Sequence, residues 1–302
     1  MPDSATGLTV WRFIDGKRGH ENQSLGLVRA LQERASVQVC DIPVRRGWRN
    51  VRNLLLGRCP AAAPPGKPDL LIGAGHTTHL PMLACRRARG GRVVVLMRPT
   101  LPLVCFDRCV VPAHDRVPAS PRVFVSRGAL NPMRPAAKPP DAPGMILLGG
   151  PSREYAWDEA AIIRQVQAVV AADRRAWVVA GSRRTPPGTL PALREALAGS
   201  RVDIVAVGDV AADWLATELP KTALAWVSED SVSMLYEALT AGAACGVLAV
   251  PTRRPGRVRR GVQALLDQGL VTPFAALAQG AVPQAPSGPF NEAARCAEWL
   301  LT

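Results

Sequence analysis

Short runs of Val, Ile and Leu alternate with longer amphipathic stretches along this chain, and that alternation constrains its fold more than any other feature. LTVWRFI (8–14), VQVCDIP (37–43), DLLIGAG (69–75) and RVVVLMRP (92–99) read as strands, as do CFDRCVVPA (105–113) and RVFVSRG (122–128). Between them, SLGLVRALQER (24–34), WRNVRNLLLG (48–57) and LPMLACRRARG (80–90) carry apolar residues at helical spacing. Strands that alternate with helices form repeated βα units, which assemble into a mostly parallel sheet covered on both faces. NPMRPAAKPPDAPG (131–144) interrupts the pattern with five prolines in fourteen positions, a density that suits neither helix nor strand. The alternation restarts at MILLGG (145–150) and runs through WDEAAIIRQVQAVVAA (157–172), AWVVAGS (176–182), LPALREALAG (190–199), VDIVAVG (202–208), VAADWLATEL (210–219) and CGVLAV (245–250) to a last helix, FNEAARCAEWLL (290–301). The pattern predicts two doubly wound, Rossmann-like α/β domains facing a cleft. They span 1–135 and 145–285, with a Pro-rich linker at 136–144 and a closing helix in 286–302.

Composition narrows the partners. The chain has 302 residues, enough for two domains of roughly 150 residues each. No apolar run approaches the ~18 residues needed to span a bilayer, and MPDSATGLTV lacks the pattern of a signal or transit peptide. The expectation is a soluble, cytoplasmic protein. Its net charge is +13, from 37 Lys and Arg against 24 Asp and Glu, which points to anionic partners. A phosphate-bearing ligand and an anionic membrane face both qualify, and the second would put the protein at the periphery of the inner membrane. No zinc-finger spacing, basic zipper or RNP-like aromatic motif is present, so nucleic acid is not expected. The seven Cys are scattered, with only Cys105 and Cys109 close, and the four His stand at His20, His76, His79 and His114. No metal centre is expected from that spacing.

In doubly wound sheets, ligands bind beyond the carboxyl ends of the strands, so the loops there carry the chemistry. DGKRGHENQS (15–24) reads as a loop after the first strand, bringing Gly19, His20 and Gln23 to the mouth. His20 can exchange a proton near neutral pH, although a solvated loop capped by Ser24 explains the same residues. GAGHTTHLP (73–81) occupies the equivalent position after the third strand. There Gly73 and Gly75 allow close backbone approach, and His76 either lines the cleft or starts a helix. In the second half, Gly149, Gly150 and Ser152 follow one strand, and Ser182, Arg183, Arg184 and Thr185 follow the next. An Arg fork suits phosphate oxygens, and Pro186-Pro187 holds this pair on a loop at the binding edge. PTRRPGRVRRG (251–261) adds five Arg, which suit a ligand phosphate or an anionic membrane equally.

AWVSEDSVSMLYEALTAG (225–242) places Glu229, Asp230, Ser231 and Ser233 at the junction of an apolar strand and a helix. Hydroxyls and carboxylates cap a first helical turn and suit its dipole. The same junction also receives phosphates on free N–H groups, with an acid on ribose hydroxyls. Glycine turn, Arg turn and acidic helix start share one sheet edge, a combination that describes a nucleotide-sugar site.

DGKRGHENQSLGL, GAGHTTH, VVPAHD, SRGALN, LLGGPSREYAW, GSRRTP and SEDSVSMLYEA occur in that order over most of the chain, and together they resemble the bacterial branch of the mitochondrial-fission ("elongated mitochondria") family. That family is similar in architecture to GT-B glycosyltransferases, among them the N-acetylglucosaminyltransferase that makes lipid II. The resemblance implies an acceptor-side loop at Gly19 and His20 and a second N-domain loop at Gly73, Gly75 and His76. It also implies a donor-side turn at Gly149, Gly150 and Ser152. Ribose and diphosphate contacts would fall at Glu229, Asp230, Ser231 and Ser233, with either acid on the ribose. Lys17, Arg18 and Glu21 stand where the lipid II enzyme has consecutive glycines.

The expected activity is therefore transfer of a sugar from a nucleotide-diphosphate donor, UDP-linked donors included, to an envelope-associated acceptor. His20 is the first candidate base and His76 the second. Arg183, Arg184 and the helix at Ser231 would stabilise the departing diphosphate without a metal or a tightly bound cofactor. Two other expectations stand beside it. One is a non-catalytic membrane-surface adaptor, as the plant members' association with a dynamin-related protein suggests, and the other is a nucleotide-sugar epimerase.

Overall fold

The computed structural model describes residues 7–139, 141–211 and 213–302. Two compact units divide the chain: one holds the N-terminal part to Pro132 together with Asn291–Thr302, and the other is Met133–Phe290.

The first unit begins with β1 (Leu8–Ile14), α1 (Arg18–Gln32), β2 (Val37–Pro43), α2 (Trp48–Leu56), β3 (Leu70–Ala74) and α3 (His79–Arg89). β4 (Arg92–Leu96), β5 (Arg108–Pro112) and β6 (Val123–Ser126) complete its sheet, in the order β2-β1-β3-β4-β5-β6 with every pair parallel. β3 is buried at every position and β4 at all but Arg92, which is why both read as unbroken Val/Ile/Leu runs.

The second unit runs β7 (Gly144–Leu147), α4 (Glu159–Ala172), β8 (Trp177–Ala180), α5 (Thr189–Ala196), β9 (Val202–Val205) and α6 (Trp214–Glu218). β10 (Leu224–Ser228), α7 (Val232–Thr240), β11 (Ala244–Leu248), α8 (Arg257–Asp267), β12 (Thr272–Pro273) and α9 (Phe274–Leu277) follow. The sheet order is β12-β11-β10-β7-β8-β9, again all parallel. Counted within the unit this is 3-2-1-4-5-6, the dinucleotide-fold order. Trp177, Trp226, Ile146, Val179 and Leu248 fill the core between sheet and helices.

The last helix, α10 (Glu292–Leu301), belongs to the first unit. It buries Ala293, Cys296, Ala297 and Leu300, spaced to make one stripe, in the same core as Leu27 and Leu31 of α1. Removing a side chain such as Leu300, Leu27 or Leu31 from water is worth roughly 2 kcal/mol, and the small residues let α10 approach α1 closely. Glu292, buried at the start of α10, accepts hydrogen bonds from the Arg127 backbone N–H (2.9 Å) and guanidinium (2.7 Å).

Three local readings are corrected. Residues 18–23 are the first turns of α1 rather than loop, because acids occupy its start: Glu21 Oε1 accepts from the Gly16 N–H (2.9 Å) and Asp15 Oδ1 from the Lys17 N–H (3.2 Å). Arg257, Arg259 and Arg260 lie on α8, whose buried Val262 and Leu265 give it an inward face. The helix expected over 210–219 is α6, only five residues long, continued by a 3-10 turn at Leu219–Lys221.

Candidate functional site

Each sheet reverses its strand order once, and the loops leaving the two strands at that point are where a ligand can reach backbone groups. In the second unit these strands are β7 and β10. The loop after β7 carries Gly149 and Gly150, the loop after β10 carries Glu229, Asp230 and Ser231, and Ser182 to Thr185 follow the adjacent β8.

Hydrogen bonds tie the three loops into one body. Ser228 Oγ accepts from the Gly149 N–H (2.8 Å) and Asp230 Oδ2 from the Gly150 N–H (2.9 Å). Arg184 spans all three loops: its guanidinium donates to Gly150 O (2.7 Å) and Ser231 Oγ (2.8 Å) and pairs with Asp230 Oδ2 (2.7 Å). Thr185 Oγ1 donates to Leu148 O (3.0 Å) and Ser182 Oγ to Gly149 O (2.9 Å). Only glycine fits at 150, since a Cβ there would overlap the Arg184 carbonyl.

The residues singled out in sequence thus separate into distinct jobs. Gly149, Gly150, Ser182, Arg184, Thr185, Asp230 and Ser231 form the braced body. Ser152 is taken up locally, its Oγ accepting from the Glu154 (3.2 Å) and Tyr155 (3.1 Å) N–H groups. Arg183 and Ser233 are exposed, and Arg183 forms no ion pair among the described residues. Among the described residues, no side chain caps the first turn of α7.

Glu229 takes no part in that brace; its Oε2 accepts from the Val250 N–H (3.2 Å). Burial raises its pKa, opposed by that N–H and by the Arg259 charge. Gln165 of α4 fixes the neighbouring loop, accepting from the Ala249 N–H (2.7 Å) and donating to Ala249 O (2.9 Å). Tyr155 is fully buried, with its hydroxyl unpartnered among the described residues. Desolvation first, then the charges of Glu229, Glu154 and Asp230, push its pKa up. Two unpartnered buried polar atoms, Tyr155 Oη and Asp230 Oδ1, therefore lie in one electrostatic neighbourhood. Nothing in the one-dimensional pattern marked Tyr155 or Gln165 as positioned here.

In the first unit the reversal lies between β1 and β3. His20, on the first turn of α1, points its Nδ1 at Asp15 Oδ2 (3.0 Å). Asp15 is 1% exposed at its side chain and His20 19%. The His20 ring lies against Gly75 (φ +79°), where a Cβ would overlap the imidazole. A buried carboxylate on one ring nitrogen fixes the tautomer and leaves Nε2 for chemistry. Asp15 is the residue the sequence reading missed; it stood in a polar stretch with no sign of burial.

Gly73 lies within β3 rather than after it, where a Cβ would crowd Thr78 and Met82, so it serves packing. Gln23 is buried on α1 and donates to Gly19 O (3.3 Å). Gly19 and His76 are exposed, and His76 borders a cavity of about 430 Å³ with Trp48, Val51, His79, Leu80 and Leu101. Among the described residues, no three His, Cys, Asp or Glu side chains are placed to share a metal ion.

Two all-parallel six-stranded sheets, each with its loops gathered at a strand-order reversal, define a two-domain, Rossmann-like α/β protein of the GT-B type. The particular family follows from sequence: the mitochondrial fission ELM1 family profile matches residues 18–302, and the chain belongs to that family. No curated protein matches it by sequence. Among solved structures, it is similar to a Listeria monocytogenes protein assigned as a UDP-N-acetylglucosamine 2-epimerase, at 15% identity and TM-score 0.60, over 98% of this chain and 95% of that one. It is also similar to the UDP-GlcNAc 2-epimerase of Methanocaldococcus jannaschii (13% identity, TM-score 0.59, 97% of this chain and 99% of that one). A third similar structure is the UDP-GlcNAc 2-epimerase of Neisseria meningitidis bound to UDP-GlcNAc (12%, TM-score 0.52, 97% and 100%). At these identities the likeness is one of fold.

Proposed function

We propose that the second unit binds a nucleoside-diphosphate-linked sugar and that the protein is a GT-B-type glycosyltransferase. The reading is carried by one observation. Three loops braced through Arg184 stand at the β7/β10 reversal and leave the uncapped start of α7, the exposed Arg183 and the half-buried Glu229 side by side in sequence with that brace.

In this reading the diphosphate lies at the first turn of α7, where free N–H groups and the helix dipole favour anions. Arg183 is the cation available to the phosphates, because the Arg184 charge is already balanced by Asp230. Glu229 accepts from ribose hydroxyls. The acceptor hydroxyl attacks the anomeric carbon as the bond from that carbon to the diphosphate oxygen breaks. His20, held by Asp15, takes the acceptor proton at Nε2, and the nucleoside diphosphate leaves with the bonding electrons.

Isothermal titration with uridine, guanosine, adenosine and cytidine diphosphates and their sugars tests the donor site. The expected result is saturable binding to one base class, lost in Glu229→Ala. Absence of binding across the panel ends the proposal. Interconversion of sugar epimers with no acceptor present would move the assignment from transferase to epimerase.

A further inference from the structure

α2 is inverted relative to the other helices on the first sheet. Trp48, Val51 and Leu55, at i, i+3 and i+7, form one stripe that is 67%, 49% and 67% exposed, with Leu56 at 55% beside it. Asn50, Asn53 and Leu54 are the residues turned toward the protein, where α2 packs on α3, and no residue of the helix is fully buried. An amphipathic helix in a water-soluble fold ordinarily does the reverse.

The polar surround has one sign. Between Asp41 and Asp69 there is no carboxylate, while Arg45, Arg46, Arg49, Arg52, Arg58 and Lys67 all fall in that interval. None of the five arginines forms an ion pair among the described residues. Arg52 instead lies over the Trp48 ring, 4.9 Å from its centroid. Trp48 and Val51 also wall the open cavity beside His76.

We propose that α2 is a membrane-docking helix that lies in the headgroup region of an anionic lipid surface, with Trp48, Val51 and Leu55 inserted and the arginines on lipid phosphates. Exposed apolar residues flanked by unpaired Arg are the composition of a helix that rests in a bilayer interface. A second copy of the chain is the poorer occupant, because a two-fold contact through this face would set arginine against arginine. α8 also carries three arginines, but it keeps Val262 and Leu265 buried and offers charge without an exposed apolar stripe. The inference does not depend on the sugar-transfer reading.

Sedimentation of the full chain with phosphatidylcholine vesicles, with and without phosphatidylglycerol, tests it. Binding is expected only to the anionic vesicles. It should weaken roughly tenfold or more in W48S/V51S/L55S and in R46E/R49E/R52E, and change little in R257E/R259E/R260E. All of these positions are at the surface, so unchanged melting temperatures keep the comparison valid. Vesicle binding that survives both α2 variants, or falls equally with the α8 variant, would overturn the proposal. So would a wild-type dimer that ignores vesicles and dissociates in W48S/V51S/L55S.

Discussion

Arg184 and Asp230 meet in an ion pair of 2.7 Å in which the carboxylate is wholly buried while the guanidinium stays 41% exposed. The same Asp230 oxygen accepts the Gly150 N–H at 2.9 Å, so one carboxylate anchors two loops. Asp230→Ala would therefore leave both a guanidinium and a buried amide without their acceptor. Because the guanidinium can reach water, the cost should fall below that of a fully enclosed pair, at about 2 kcal/mol in urea denaturation. A double-mutant cycle with Arg184→Met should return a coupling of about 1 kcal/mol or more. Strict additivity of the two substitutions would show that the brace has no stabilising role.

Glu229 gives a pH signature. Burial lifts its carboxyl above the ordinary carboxylate range. If the ionised form accepts from ribose, affinity holds at high pH and falls as pH drops through that raised pKa, at milder acidity than the usual ~4.3. A nucleotide sugar suits the measurement, since its esterified diphosphate keeps its charge across the window. Titration calorimetry from about pH 8 down to about pH 4 should show this decline setting in before an ordinary carboxylate would titrate in the wild type, and a weaker, pH-independent affinity in Glu229→Gln. A wild-type profile as flat as the variant's would remove Glu229 from the site.

Much of this was legible from sequence because parallel strands advertise themselves. RVVVL and LAWVS are apolar at nearly every position, and they sit where β4 and β10 sit. The donor-side loops were legible for the same reason, since each directly follows such a run. The start of α1 was hidden. Gly16 and Gly19 imitate a turn, while the acids that stabilise the helix act through contacts with backbone groups two and five residues away. Asp15 looked solvated because its burial is tertiary. The division of labour between Arg183 and Arg184 was likewise invisible, because only the fold brings Asp230 to one and not the other. β12, two residues long, has no periodicity to read. For α2, spacing reported an amphipathic helix without saying which face turns inward.

Asp15 is expected to act on chemistry rather than on donor binding. Its Oδ2 holds His20 Nδ1 at 3.0 Å, so Asp15→Asn keeps the shape but no longer favours the tautomer with a free Nε2. With a turned-over donor and acceptor in hand, kcat should fall by roughly 10²-fold or more while the donor KM stays constant. His20→Gln should match it, and the double variant should be no worse than either. A KM effect without a kcat effect would assign the pair a structural role.

His79 sets an acid limit on stability. It is 2% exposed, its ring edge-on to Phe106 at 5.1 Å, and its pKa is lowered to about 4, by desolvation first and by His76 second. Above its unfolded pKa of ~6.5 both states hold it neutral, and it adds no pH dependence. As pH falls from there toward 4, the unfolded chain takes up the proton and the folded protein does not, so stability drops. The full loss approaches roughly 3 kcal/mol at the lower end and then levels. Denaturant midpoints followed over this range should be less steep in His79→Gln. An identical slope in the variant would mean that other groups govern the acid transition.

The last helix should be indispensable to the unit that begins the chain and dispensable to the one it directly follows. Ala293, Cys296, Ala297 and Leu300 share a core with Val10, Leu27, Leu31 and Ile72, whereas the second unit closes at Phe290. Deleting 291–302 strips that stripe and the Glu292 acceptor of Arg127, and should expose the inner face of α1 to water. Hydrogen exchange should then show β1, β3 and β4 losing protection while β7, β10 and β11 keep it. Nucleotide binding, if it resides where we place it, should persist in the shortened chain. Protection lost from the β7–β11 strands instead would show that α10 supports the other unit.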